Sequence, residues 1–146
     1  MKYQVIKTYG HEQGLSCVFR QHRADSHCNQ LHGYALAFSI TFETEELDAR
    51  NWVIDFGSLK PIKEWLHDMF DHKLLLAADD PSFEELFHLG ALRLATINVV
   101  PKIGCEAFAH MVWSRVTQWL ALANPKVQCV CVRVSEHQGN SAAFMP

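Results

Sequence analysis

The chain has 146 residues, of which 49% are hydrophobic and 20% charged, and a formal net charge of −3. This describes one globular domain, residues 1–146, with enough chain for a core, and it excludes a disordered segment. The slight negative charge without a basic tract argues against nucleic acid or an anionic membrane as partner, and no apolar run is long enough to span a bilayer.

The first residues, Met1-Lys2-Tyr3-Gln4-Val5, lack the apolar core of a secretory leader. Cysteines stand at Cys17, Cys28, Cys105, Cys129 and Cys131. An odd number without a leader predicts reduced thiols and a cytoplasmic location. Cys129 and Cys131, two apart on one strand, are expected to share a face as small hydrophobes.

In chain order, residues 3–8 read as a strand ended by Gly10, and residues 15–22 as a second strand paired with the first. Arg23 to Gln30 is polar and loop-like. Period two then takes over, with Leu36, Phe38, Ile40 and Phe42 on one face and His32 and Tyr34 in the same parity. Trp52 to Phe56 reads as a short strand closing a hairpin. A helix opens at Ser58 as N-cap with Pro61 in its first turn. Its apolar face is Leu59, Ile62, Trp65, Leu66, Met69 and Phe70.

Leu74 to Leu76 reads as a buried connection, followed by a break at Asp79-Asp80-Pro81-Ser82 and a short helix stopped by Gly90. Residues 94–100 read as a strand. A second long helix starts near Cys105 and ends at Asn124-Pro125. The last strand, Val127 to Glu136, has Val130, Val132, Val134 and Glu136 on one face, and the tail to Pro146 reads as loose. The order predicts an α+β fold in which an antiparallel sheet carries two helices on one face. Its open edges must be covered, and self-association does that.

Chemistry concentrates at Cys28-Asn29-Gln30-Leu31-His32-Gly33-Tyr34, with His22 and His27 upstream. A thiol and imidazoles beside a strand entrance are raw material for a metal or nucleophile site, or else a histidine-rich polar loop. A catalytic zinc needs about three protein ligands. His22 and His32 supply two; Tyr34, whose phenol titrates near ~10, His27 and His11 are the remaining donors. Asp71-His72, where the first long helix ends, is a candidate acid/base pair or a helix-ending surface residue. Glu106 opens the second long helix as a dipole partner. Glu136 ends an apolar strand face, where a carboxylate needs a partner or reaches water.

Taken together, His22, Cys28-x-x-x-His32-Gly33, Trp52-x-x-Asp55-Phe56-x-x-Leu59-Lys60, Phe70-Asp71-His72 and Glu136 resemble the 6-pyruvoyl/6-carboxy-tetrahydropterin synthase family, closer to its bacterial 6-carboxy branch. The resemblance implies a tunnelling fold (T-fold), with a four-stranded antiparallel sheet, two long helices on one face, and copies closing a barrel as a homo-oligomer, a trimer or hexamer. It implies a lyase acting on a small-molecule pterin, 7,8-dihydroneopterin triphosphate. Cys28 would be the base, Asp71 and His72 its relay, Glu136 and Glu106 the pterin contacts, and His22, His32 and Tyr34 the Zn2+ ligands. Two departures stand out. Tyr34 replaces the usual third histidine, and Ile103-Gly104-Cys105 replaces the Pro-Thr before the helix-opening glutamate. The alternative they suggest is a zinc-deficient pterin-binding paralogue with a regulatory or aldolase/epimerase-like role.

Overall fold

A computed structural model describes residues 1–146. The strands are β1 (Tyr3–Tyr9), β2 (Ser16–Phe19), β3 (His32–Ala35), β4 (Ala37–Thr44), β5 (Lys73–Ala77), β6 (Thr96–Val100), β7 (Gln128–His137) and β8 (Asn140–Phe144); the helices are α1 (Lys60–Phe70), α2 (Phe83–Ala91) and α3 (Cys105–Ala123). The main sheet is antiparallel throughout, in the order β1-β4-β7-β8. Phe38, Ile40 and Phe42 of β4 and Val132 and Val134 of β7 are fully buried on its inner face. Against them lie Ile62, Leu66 and Phe70 of α1 and Phe108, Val112 and Val116 of α3, in one continuous core. Phe70 joins the layers, with its ring centroid 4.7 Å from Phe38 and 5.6 Å from Phe108.

A second four-stranded sheet, in the order β3-β2-β5-β6, was not foreseen. β2 is antiparallel to β3 but parallel to β5, and β5 is parallel to β6. Leu74, Leu75 and Leu76 therefore form a central strand, not a connection, buried on both faces as the middle of a parallel sheet requires. The first two strands do not pair. β1 runs beside β4, and β2 joins the second sheet. The chain changes sheets at Leu36, whose N–H bonds the Leu15 carbonyl at 3.2 Å.

Other expectations also give way. Trp52 to Phe56 is not a strand: Asp55 caps a 3-10 turn, Phe56–Leu59, by accepting from the Gly57 N–H, and the turn leads into α1, so Asp55 rather than Ser58 opens the helical run. Gly90 lies inside α2, which ends at Ala91 with Leu92 as its C-cap. The tail folds back as β8. Register slips at Val130 in β7 and turns Cys129 inward while Cys131 stays half-exposed, so the two cysteines do not share a face.

Candidate active site

Beyond Phe19 the chain leaves β2 and returns through a loop that closes where the Gln21 N–H donates to the Cys28 carbonyl at 2.9 Å. Cys28 sits half-buried in a 3-10 turn, His27–Asn29, whose N-cap Ser26 accepts from the Cys28 N–H at 3.4 Å. β3 then places His32 opposite Phe19 and Tyr34 opposite Cys17. Across the gap, Gly104 adopts φ +122°, a left-handed backbone suited to glycine, and turns the chain into α3 so that Cys105 and Glu106 occupy its first turn. Glu136 arrives by a second bulge: Ser135 pairs with Ser141 and His137 with Asn140, leaving Glu136 as the extra residue.

These elements enclose a cleft of about 330 Å³ lined by Phe19, Cys28, His32, Cys105, Glu106 and Glu136, among others. Four residues singled out from the sequence thus meet in one chain. Cys105, which the sequence marks as a helix start in the departure before Glu106, joins them as a buried thiol. Its pKa is pushed up to about 12 by burial first, then by Glu136 and Glu106. Tyr34 is also raised, by burial first and then by the Glu136 carboxylate. The site is rich in acceptors. It suits a planar ligand that brings several N–H donors.

Of the donors expected to hold zinc, His32 lines this cleft and His22 an adjoining one. His32 is correctly disposed: its Nδ1 donates to the Gln30 carbonyl at 2.8 Å, which leaves Nε2 with a free lone pair. Tyr34 packs edge-on to His32 with centroids 5.6 Å apart. His22 lines an adjoining cleft of about 620 Å³ with Arg23, Asp79, Lys102 and His110. The Arg23 Nε–H donates to His22 Nε2 at 3.3 Å, so the proton rests on Nδ1, buried without a partner 4.0 Å from Asp80. No three His, Cys, Asp or Glu side chains converge to hold a metal ion.

Nor does one chain bring Asp71 and His72 to Cys28. His72 Nδ1 bonds Asp71 Oδ1 at 2.6 Å, and this contact first, then His67, holds the Asp71 carboxyl below its usual range. The pair is an oriented acid/base unit. His72 has φ +55°, an uncommon conformation for a non-glycine residue, and its side chain is 86% exposed. Its N–H bonds the carbonyl of Ser16, the first residue of β2, whereas Cys28 hangs beyond the last. β2 alone separates them by roughly 10 Å.

A model of the 6-pyruvoyl tetrahydropterin synthase family matches residues 10–146. The 6-carboxy-5,6,7,8-tetrahydropterin synthase of Aquifex aeolicus is 24% identical over 116 residues, covering 69% of this chain and 72% of that protein. The Bacillus subtilis protein of the same name is 27% identical over 119 residues, covering 82% and 70%. With the Rickettsia felis protein, identity is 38% over 63 residues, or 40% of this chain and 46% of that one, so the chain matches less than half the length of that relative. Among solved structures, an uncharacterized protein of Wolinella succinogenes superposes with TM-score 0.86 at 19% identity, covering 99% and 98% of the two chains. The 6-pyruvoyl tetrahydropterin synthase of Plasmodium falciparum does so with TM-score 0.69 at 14% identity and the same coverage. At such identities the likeness establishes the shared T-fold.

Proposed function

The chain belongs to the 6-pyruvoyl tetrahydropterin synthase family, and from that premise we propose that it is a pterin lyase of the 6-carboxy-tetrahydropterin synthase type. The substrate on this reading is 7,8-dihydroneopterin triphosphate. The observation that carries it is the meeting of Cys28, His32, Glu106 and Glu136 on one cleft. At about 330 Å³ the cleft is at the small end of ligand sites, which suits a bicyclic ring. A pterin presents its exocyclic amine and a ring N–H side by side, and the Glu136 carboxylate can accept both in parallel. Cys28 then lies beside the substrate side chain as the base that takes a carbon-bound proton.

The oriented Asp71–His72 pair supplies a proton relay, and it reaches Cys28 only from a second copy of the chain. Open edges at β1, β8, β3 and β6 offer places for that copy. The zinc that the family resemblance implies would draw on His22 and His32, and no step here is routed through it. Tyr34 in place of the third histidine favours a second reading, a pterin-binding paralogue without lyase chemistry.

The test is incubation of protein purified without chelator with 7,8-dihydroneopterin triphosphate, with metal content measured on the same sample. We expect release of triphosphate and a two-carbon aldehyde with formation of a carboxylated pterin, falling at least ~100-fold in Cys28→Ala. Pterin binding without turnover would select the second reading. Neither binding nor turnover would overturn both.

A further inference from the structure

Arg20 and Asp80 belong to none of the family motifs above, yet they make a two-pronged ion pair with a buried carboxylate. Arg20 grips Asp80 with both prongs, Nε to Oδ2 at 2.9 Å and Nη2 to Oδ1 at 2.6 Å. Asp80 is buried, with its side chain 1% exposed, and also accepts from the Ser82 N–H at 2.8 Å. The Arg20 contact, its largest influence, holds the carboxyl below its usual range. The remaining guanidinium nitrogen, Nη1, donates to the carbonyl of Asn29 at 3.0 Å.

Asn29 immediately follows Cys28. The segment bearing the thiol is therefore held by two rungs, Gln21 N–H to the Cys28 carbonyl and Arg20 Nη1 to the carbonyl of the next residue, Asn29. Only the second is tied to the rest of the fold by a buried charge. We propose that Arg20 and Asp80 are positioning residues for Cys28: Asp80, fixed in the turn between β5 and α2, holds Arg20, and Arg20 sets the carbonyl next to the thiol. The geometry demands an arginine. A lysine ammonium is a single point that cannot span both Asp80 oxygens and the Asn29 carbonyl. The exposed Arg23–Asp79 pair nearby, 2.7 Å apart, grips no loop carbonyl and serves as the comparison.

The inference deepens the reading of Cys28 as the base, and its test requires no turnover. Iodoacetamide labelling of the full chain, resolved by peptide mass spectrometry, gives the alkylation rate of Cys28 relative to half-exposed Cys131. A general loss of stability raises both rates, whereas release of the loop raises only the first. We expect the ratio to rise about tenfold in Arg20→Met and in Asp80→Asn. Arg20→Lys should recover only part of the protection, and Arg23→Met should stay within about twofold of wild type. If Arg20→Met does not fold, the near-isosteric Asp80→Asn decides by the same ratio. A ratio within about twofold of wild type in the folded Arg20 or Asp80 variants overturns the proposal. A risen ratio in a chain that converts no pterin would instead count against the lyase reading alone.

Discussion

Glu136 shares the parity of the buried Val132 and Val134 and stands at the bulge between Ser135 and His137, where its carboxylate joins Cys105 and Glu106. Its polarity at the end of an apolar strand was legible in the sequence, as were Cys28 and His32 from their local chemistry. The bulge was not, because nothing in Val134-Ser135-Glu136-His137 marks an extra residue. His22 lies on an adjoining cleft, where its Nε2 accepts from the adjacent Arg23. Glu136→Gln tests the pterin contact. An amide offers one acceptor oxygen in place of two and turns a donor toward the ligand's donors, so affinity should fall about 10- to 100-fold by fluorescence titration. Unfolding free energy should move by less than about 0.5 kcal/mol, since the residue is half-exposed. Unchanged affinity would return Glu136 to a structural role.

At the scale of elements, β3 is the part whose sequence is most constrained by a neighbour. A Cβ on Gly33 would stand 2.8 Å from the backbone carbonyl of Cys17, inside any tolerable contact, so a side chain there pushes β3 away from β2. That ladder holds His32 opposite Phe19. Gly33→Ala should therefore destabilise the chain by about 1–3 kcal/mol in urea unfolding and weaken pterin binding in parallel. A neutral substitution would show that the two strands part freely. The long elements were readable because their periodicity is strong: β4 alternates cleanly, and α1 and α3 repeat their apolar stripes. The short ones were not. Leu74 to Leu76 carries no alternation because both faces are covered, and β8, Asn140–Phe144, becomes a strand only by leaning on β7. Trp52 to Phe56 has strand-like residues, but the Asp55 cap turns it into a helical lead-in.

The molecule as a whole keeps its acid/base residues in two places. Cys28, Glu106 and Glu136 share one cleft, while the Asp71–His72 pair projects into solvent beside the start of β2. An exposed, oriented pair on a left-handed residue is costly surface unless something docks against it. If a neighbouring copy brings its Cys28 there, each working site draws its thiol from one chain and its relay from another. Variants Cys28→Ala and His72→Ala should then each be inactive alone. Unfolded together in equal amounts and refolded, they should regain about one quarter of wild-type turnover, because a site needs an intact thiol from one kind of chain and an intact histidine from the other. Sedimentation should find the refolded mixture in the same assembly as wild type. A mixture that assembles and stays inactive would place the relay and the thiol in the same chain, and would demand a rearrangement of β2 that its pairing with both β3 and β5 resists.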